Sequence, residues 1–410
     1  MSNRNCSAAV LLLACLGLAG LTRPVAAQVK LLPPGDSSHL TRISDRVVMS
    51  QQAGSRMFAL KTARGLLFID TEPTPAATRE AIALMEKELG GGPVIALVNT
   101  HEHYDHIAGD AAFEGAPIVA TQAMVEGLRL AEPQKLKFLP QAEQVVAKAR
   151  AERDSLKPES PEYRDADARI RNAEAMLAAV RPAVIAPTVS FSDRLTLDLG
   201  DRTVRLVAMG RRHSYGDMLI FVPEEHILFT AGAVDPRGYI PFIPPFTRPE
   251  DLQRNIAVLT EFADTSLELK RIITGHRPDL TVGDLVFARD YYDRLWQVVA
   301  RERARGTTLE QAQQRLVLDS AFADLLDKGP APEASNKTHV KNIETAWALV
   351  PVPAAPAVSA APPRADKAAP TAVKAAPAAK PPVARPAQKA APATAKPTVA
   401  RPAQKAAPKQ

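Results

Sequence analysis

The sequence predicts an α+β fold for most of the chain, together with a helical insertion and a separate C-terminal tail. Short apolar runs bounded by turn residues indicate buried strands, and they alternate with longer amphipathic segments that indicate helices. Residues 141–181 interrupt this alternation with a segment rich in Ala, Glu and Arg. From residue 351 the composition changes to Ala, Pro and Lys, which cannot bury a core. We therefore expect a folded region at residues 28–350 and a disordered tail at 351–410.

The N-terminal residues have the pattern of a cleaved secretory signal peptide. Residues 1–27 contain an early arginine, an apolar stretch too short to span a membrane, and a small-residue end. This pattern predicts Gln28 as the mature start and a periplasmic or secreted protein. The alternative is a lipoprotein signal that ends at Cys15, which is less favoured because the apolar run continues beyond that cysteine. Both cysteines, Cys6 and Cys15, lie in this segment, so the mature chain would contain no disulfide and no thiolate metal ligand.

The basic charge of the chain belongs to its tail. Residues 351–410 contain ten Lys or Arg and one Asp, a net charge of +9. Of the overall +6, this leaves −3 for residues 1–350, so the high pI does not indicate nucleic-acid binding by the folded domain. The tail, with its charge and polyproline character, suits contact with an anionic cell-envelope surface or serves as a solubilising extension.

The predicted elements of the folded region fall on either side of the helical insertion. Predicted strands occupy residues 47–49, 57–61, 65–70, 93–98, 117–120, 189–191, 195–199, 204–208, 218–222, 226–230 and 272–274. Predicted helices occupy residues 74–89, 122–131, 142–156, 164–180, 249–262 and 285–305, and a capping box at 307–310 opens another. The hairpin formed by 142–156 and 164–180 would be a lid, an oligomer contact or an exposed insertion, and the oligomeric state stays open.

Residues 99–110 carry the densest set of metal-ligand side chains. His101, His103, Asp105 and His106 fall within six residues, directly after the apolar run at 93–98. In an extended or tightly looped backbone, residues two apart point the same way, so His101 and His103 can converge on one ion. Asp105 and His106 then face a second position. Imidazole and carboxylate ligands suit zinc first, with iron or manganese as alternatives.

The pattern His-x-His-x-Asp-His after a hydrophobic strand resembles the signature of the metallo-β-lactamase superfamily. That family places two more ligand histidines in separate loops, and both have matches here. His213 follows the predicted strand at 204–208, and His276 follows the strand at 272–274. The resemblance covers about residues 40–300. It implies a four-layer αβ/βα sandwich with metals in loops at one edge of the paired sheets.

The resemblance also implies a function, namely a zinc-dependent hydrolase. A metal-activated water would attack a small-molecule substrate with a carbonyl or ester-type centre, such as a β-lactam, thioester, lactone or related ester. Asp105 would act in catalysis by orienting the nucleophile or passing its proton. The alternative is an accessory metal-binding envelope protein that partners periplasmic redox enzymes. The ligands implied are His101, His103 and His213 for one zinc, and Asp105, His106 and His276 for the other.

One position departs from the family pattern. In many relatives the strand equivalent to 227–232 is followed by an aspartate that bridges both metals, but this chain has Ala233 there and Asp235 two residues later. An alanine cannot act as a ligand, so we expect two zinc ions per chain with the second more weakly held. Asp235 is then a supporting residue or a displaced ligand. Asp70, after the strand at 65–70, is expected to orient a ligand from behind, with a turn or cap as its alternative role.

Candidate substrate contacts lie next to the ligand histidines in sequence. An anionic group on the substrate would be bound by one of the arginines, whereas at least two of them are expected to face solvent or to pair structurally. The loop at 235–246 would supply an apolar wall or be a packed structural loop. The candidates are Arg211, Arg212, Tyr239 and Phe242, with Arg277 and Phe246 beside them. Three other histidines receive no metal role in this interpretation: His39, His226 and His339.

Overall fold

The structure is a computed structural model that describes residues 40–51, 55–182, 184–326 and 332–351. The predicted signal peptide, His39 and residues 352–410 of the predicted tail lie outside the described residues. Among the helices that are described, none has the length and apolar character needed to cross a membrane.

The described residues form two β-sheets, and the first contains seven strands in chain order. These are β1 (Leu40–Arg42), β2 (Val47–Ser50), β3 (Met57–Thr62), β4 (Gly65–Ile69), β5 (Val94–Val98), β6 (Ile118–Thr121) and β7 (Val189–Phe191). Strands β1 to β4 pair in antiparallel fashion, whereas β4 to β7 pair in parallel. The carboxyl ends of β4 and β5 therefore meet at one edge of the sheet.

The second sheet of the described region has five strands. Its order is β12 (Arg271–Thr274), β11 (Ile227–Ala231), β10 (Asp217–Val222), β9 (Thr203–Gly210) and β8 (Arg194–Asp198). Strands β11 and β12 are parallel, and the other neighbours are antiparallel. Strands β9, β11 and β12 consequently run in the same direction, so the loops that follow them leave the sheet at the same edge.

Helices connect and cover these sheets. The described helices are α1 (Pro75–Leu89), α2 (Tyr104–Ile107), α3 (Gln122–Asp154), α4 (Pro161–Val180), α5 (Pro249–Phe262), α6 (Val282–Ala304), α7 (Leu309–Arg315), α8 (Leu318–Ala321) and α9 (Pro332–Leu349). The crossover helix α1 is capped by Thr74 at its start and by Gly90 at its end. Gly90 has a φ of 77°, a left-handed conformation that glycine adopts with little strain.

The alternation of side chains along the strands produces four layers. In β4, Leu66 and Phe68 pack towards α1, whereas Leu67 and Ile69 pack between the two sheets. In β10, Ile220 faces the same inter-sheet core, and its neighbours on the opposite face pack against α5 and α6. The order of layers is helix, sheet, sheet, helix. The predicted αβ/βα sandwich is confirmed.

The helical insertion differs from the prediction in its first half. The sequence predicts separate helices at 122–131 and 142–156, but α3 runs without a break through Pro133 and Pro140. A proline within a helix costs about 3 kcal/mol. Burial of Val146 and Ala149 against α4 offsets this cost, since these residues share one apolar core with Leu177. Helix α4 starts at Pro161 rather than 164, because Ser160 caps it and a first-turn proline needs no hydrogen bond.

Two further helix starts are shifted. Helix α6 begins at Val282 rather than 285, with Thr281 and Asp284 forming a capping box. The predicted capping box at 307–310 was wrong by one residue, since Thr308 caps α7 and Gln311 completes the box. Thr307 with Glu310 and Thr308 with Gln311 both have the spacing of a capping box. Which pair forms the box depends on the backbone conformation at the helix start.

Candidate metal centre

The predicted ligands meet at the edge of the sheets where the parallel strands end. His101 and His103 follow β5, and His106 lies in the short helix α2. His213 lies between β9 and β10, and His276 follows β12. The two sheets therefore supply opposite sides of one cluster, as expected for sites outside the carboxyl ends of parallel strands.

His101, His103 and His213 form the first donor group. Their ring centroids are 4.4–5.2 Å apart, and their donor atoms lie within 4.8 Å of one another. Burial lowers the pKa of His101 and of His213 well below the usual range, and that of His103 to about 4. These imidazoles are therefore neutral and each can offer a lone pair, as metal ligation requires.

Two of these nitrogen atoms show that the group fits a metal ion. The Nε2 atoms of His101 and His103 are buried and have no hydrogen-bond partner in the described part of the chain. A buried polar atom without a partner costs free energy. A cation at the centre of the three imidazoles would satisfy both atoms.

Asp105, His106 and His276 form the second donor group. The Nε2 atoms of His106 and His276 are 2.8 Å apart, and Asp105 Oδ2 lies 3.2 Å from His276 Nε2 and 3.5 Å from His106 Nε2. Two imidazole nitrogens at this distance require a proton or a cation between them. Burial opposes a charge on His106, but Asp105 and Asp70 outweigh it and raise its pKa to about 9. The His276 side chain is 38% exposed, so this group faces solvent.

Asp70 fixes the tautomers of two ligands from behind. Its Oδ2 accepts hydrogen bonds from the Thr100 hydroxyl at 2.7 Å and from His106 Nδ1 at 2.9 Å. Since the Thr100 proton points to Asp70, His101 Nδ1 donates to Thr100 Oγ1 at 2.9 Å. Both His101 and His106 thus carry a proton on Nδ1 and direct Nε2 at the cluster, where a metal ion would displace the second proton that His106 holds.

The alternative cap role for Asp70 is not what the structure shows. Thr74 caps α1, whereas Asp70 has a φ of 55°, a left-handed conformation that is strained for a non-glycine residue. The backbone amide of Thr100 donates to Asp70 Oδ1 at 2.7 Å. The carboxylate thus joins the end of β4 to the loop that carries the ligands.

Glu102 has a function that the sequence interpretation missed. It lies between two ligands and points away from them, and it accepts hydrogen bonds from the amides of Tyr215 at 2.6 Å and Gly216 at 3.2 Å. Burial and the nearby Asp217 raise the pKa of Glu102 to about 7. Glu102 therefore joins the first ligand loop to the loop of His213. The alternation in His-x-His was the available signal, since a residue between two inward ligands must face elsewhere.

Gly232 allows His213 to reach the cluster, and no sequence signal pointed to it. A Cβ atom on Gly232 would lie 2.4 Å from Cδ2 and 2.6 Å from Nε2 of His213. The next residue, Ala233, occupies the position expected for a bridging ligand and is buried in the apolar core.

Asp235 takes part in ion pairs outside the donor groups. Its carboxylate lies 3.0 Å from Arg277 Nε and 3.8 Å from Arg212 Nη2. Within the described residues it joins neither of the donor groups around the predicted ligands. In this geometry, Asp235 does not replace the missing bridging ligand.

The two arginines before His213 hold the neighbouring loop. Arg212 is 4% exposed and donates to the Phe242 carbonyl at 2.6 Å, and its guanidinium lies 5.3 Å from the Tyr292 ring. Arg211 donates to the Phe246 carbonyl at 3.4 Å. These contacts give both arginines a structural role in holding the loop, and a part for Arg211 or Arg212 in substrate binding stays a prediction.

The more accessible cation is Arg277. Its side chain is 42% exposed, follows His276 directly, and lies 4.1 Å from the ring centroid of Tyr239. Tyr239 and Phe242 are also exposed, at 46% and 39%. These three side chains are therefore the candidate substrate contacts that solvent reaches.

A family comparison agrees with this fold and cluster. Residues 55–276, more than half of the chain, match the family model described as the metallo-beta-lactamase superfamily. The chain belongs to this superfamily. It thus combines a superfamily hydrolase fold with a cluster of His and Asp side chains suited to metal ions. No curated protein sequence matches the chain.

Several solved structures are similar to this superfamily member. A metallo-beta-lactamase from Pontibacter korlensis is 17% identical with a TM-score of 0.40, and the match covers 62% of this chain and 98% of that one. A metallo-beta-lactamase from Erythrobacter litoralis is 15% identical with a TM-score of 0.39, covering 62% and 95%. A stereoselective inverting sec-alkylsulfatase from a Pseudomonas species is 16% identical with a TM-score of 0.48, covering 75% of this chain and 49% of that one, about half its length.

Substitution of Gly232 should weaken metal binding at the first donor group. In Gly232→Ala the new methyl group displaces His213, so we expect zinc affinity to fall by about 10- to 100-fold. Chelator competition measures this affinity. Gly238→Ala is the matched control, because a Cβ there meets nothing within 4 Å. Equal affinities of the two variants would contradict the role of Gly232.

Substitution of Asp235 should leave the metals in place. Asp235→Asn removes a partly exposed ion pair with Arg277 and a longer one with the buried Arg212, so we expect an unchanged zinc content and a loss of unfolding free energy that comes mainly from Arg212. Elemental analysis and thermal unfolding measure both quantities, and Asp105→Asn serves as the comparison that loses metal from the second group. Loss of one zinc per chain in Asp235→Asn would identify Asp235 as the missing ligand.

Proposed function

We propose that this protein is a zinc-dependent hydrolase of small molecules with a carbonyl or ester-type centre. The observation that carries the proposal is the pair of adjacent donor groups, one with three neutral imidazoles and the other with Asp105 and two imidazoles. Metal pairs about 3.5–4 Å apart serve hydrolysis in other proteins. β-Lactams, thioesters, lactones and related esters are the substrate classes that we propose to test.

The residues of this chain have separate tasks in the proposed reaction. His101, His103 and His213 would hold one zinc, and Asp105, His106 and His276 the other. A bound zinc would lower the pKa of its water from about 16 to about 7 and so supply hydroxide at neutral pH. Asp105, in the solvent-facing group, would orient the nucleophile towards the substrate or take its proton. Asp70 keeps the Nε2 atoms of His101 and His106 available to the metals.

The two sites should differ in affinity. The first group is enclosed and consists of three imidazoles with little freedom to move, whereas the His276 side chain is 38% exposed. The second group also lacks the bridging carboxylate, since Ala233 occupies that position. We therefore propose that the first group fills first and that the second fills only at higher zinc concentration.

We also propose that the protein acts in the cell envelope. Residues 1–27 have the pattern of a cleaved signal peptide, and the basic residues 351–410 suit an anionic envelope surface. In this proposal both segments determine where the protein is found, and neither takes part in the catalytic reaction.

Removal of a first-group ligand should abolish metal binding and turnover together. His103→Ala leaves two imidazoles in the first group, so we expect loss of zinc there and at least about a hundredfold lower kcat/KM. The measurement combines zinc analysis with a panel of chromogenic β-lactam, thioester, lactone, phosphoester and sulfate-ester substrates. His226→Asn is the control, because it removes an imidazole remote from the cluster and asparagine tolerates its φ of 55°.

Two outcomes of this experiment would contradict the proposal. Full turnover by His103→Ala would exclude the ligand assignment. Zinc occupancy of the unaltered protein without turnover on the whole panel would favour the accessory metal-binding alternative, in which the protein partners periplasmic redox enzymes.

Truncation of the tail should change location but not chemistry. A chain ending at Pro351 keeps the buried Val350, so we expect kcat/KM and zinc content within about twofold of the full chain. Binding to vesicles of anionic lipid should be weaker for the truncated chain than for the full chain. This difference between the two chains should vanish in about 1 M salt, where the Debye length shortens to about 3 Å. A full-length chain with the tail Lys and Arg residues changed to Gln is the matched control. A large fall in turnover on truncation would show that the tail takes part in the reaction.

A further inference from the structure

The loop at residues 235–247, here called the site loop, lies beside both donor groups. It connects β11 to α5 without regular secondary structure. The ring centroid of its Tyr239 lies 4.1 Å from Cζ of Arg277, the residue after His276. The ring of its Phe246 stacks on Tyr215, in the loop that carries His213, with the centroids 4.5 Å apart. The site loop is therefore placed to form a wall of the substrate pocket.

Buried and exposed residues alternate within the site loop. Ile240 and Ile243 enter the apolar core, whereas Tyr239 and Phe242 are exposed. A buried loop must satisfy its backbone amides and carbonyls without a strand partner. The source of these hydrogen bonds therefore determines where the exposed aromatic rings lie.

The C-terminal helix α9 supplies most of these hydrogen bonds at the centre of the site loop. Asn342 is fully buried; its Nδ2 donates to the Pro241 carbonyl at 2.7 Å, and its Oδ1 accepts from the Ile243 amide at 2.8 Å. One turn later, the Thr345 hydroxyl lies 3.2 Å from the Ile243 carbonyl and 3.2 Å from the Lys341 carbonyl of its own helix, and it shares its one proton between them. The side chain of Asn342 thus acts as the missing strand partner for this part of the loop.

A buried network fixes the orientation of the Asn342 amide. Its Nδ2 also donates to Tyr291 Oη at 2.9 Å, and the Tyr291 hydroxyl donates to His339 Nδ1 at 2.8 Å. His339 Nε2 then donates to the Leu316 carbonyl at 2.6 Å. Every member has a donor matched to an acceptor, and the members come from α6, α9 and the end of α7. Such fully satisfied buried networks specify one arrangement of the groups they join.

We propose that Asn342 is a positioning residue for the substrate pocket. By holding the backbone at 241–243, it keeps the Tyr239 ring against Arg277 and fixes the wall that selects substrates. Helix α9 lies beyond the part of the chain that matches the family model, 55–276. This proposal rests on the proposed function in one respect, namely that the exposed side of the site loop faces a substrate.

Limited proteolysis of the zinc-loaded full chain tests the effect on the site loop. Trypsin cleaves after Arg237, within this loop. Asn342→Leu keeps the number and branching of the side-chain heavy atoms but removes all three hydrogen bonds, so we expect cleavage there to be at least about tenfold faster relative to the other sites. Thr345→Val, which removes one hydrogen bond with little change of shape, should act in the same direction and less strongly. Lys341→Ala, exposed on the same helix, should change nothing.

Fluorine NMR tests the effect on the pocket wall itself. With 3-fluorotyrosine in the chain, the Tyr239 resonance is assigned by its loss in Tyr239→Phe. We expect it to shift and narrow in Asn342→Leu, as the ring leaves Arg277, while the resonance of Tyr163 on α4 stays in place. For any substrate found with the panel, KM should rise more than kcat falls, and zinc content should not change.

The outcomes separate this proposal from the proposed function. Neither proteolysis nor NMR requires turnover, so an inactive protein that shows both changes supports Asn342 and contradicts only the hydrolase. An active hydrolase in which both variants leave Arg237 cleavage and the Tyr239 resonance unchanged overturns the positioning role. Equal acceleration of cleavage at every site would also overturn it, because it would show a general loss of stability.

Discussion

The carboxylate of Asp70 is the interaction on which the metal centre depends. It accepts three hydrogen bonds, two from Thr100 and one from His106, and thereby sets the tautomers of one ligand in each donor group. Hydrogen bonds to a charged group contribute about 1.5–3 kcal/mol each, whereas a strained backbone conformation costs about 1–3 kcal/mol. The strain at Asp70 is therefore offset locally. Because the same carboxylate joins β4 to the loop after β5, the ligands are oriented by the sheet and not only by their own loop.

The close packing of the imidazoles places a second demand on the fold, which is space. Glycines at the ends of β11 and β12 meet this demand, since a Cβ on Gly232 would overlap His213 and one on Gly275 would lie 2.9 Å from His106 Cε1. Real Cβ atoms almost never come so close to another heavy atom. Gly232 thus makes room for His213 within the second sheet, whereas Gly275 lets the backbone of the second sheet approach His106, a ligand of the first.

The sequence predicted those parts of the site whose chemistry is local. Four donors in six residues identify the first ligand loop, and a histidine after an apolar strand identifies each of the other two. Glu102, Gly232 and Asn342 were missed because their roles depend on groups far away in the chain, at 215, 213 and 241–243. The break predicted in α3 failed for the same reason, because packing against α4 outweighs the local effect of two prolines. The periodic spacing of apolar residues in the strands and helices predicted the four layers well. Which face of a strand or helix is buried can be read from neighbouring residues alone.

The departure at Ala233 changes the role of the aspartate that follows it. Position 233 carries no carboxylate, and Asp235, the acidic residue of the loop after β11, lies outside both donor groups and pairs with Arg212 and Arg277. These two arginines belong to the loops after β9 and β12, so one carboxylate joins three loops that surround the cluster. Two guanidinium groups share this single carboxylate, so their positive charge is only partly neutralised. The partly exposed Arg277 therefore leaves net positive charge beside the second donor group. The open side of the site therefore carries the guanidinium of Arg277 and the ring of Tyr239.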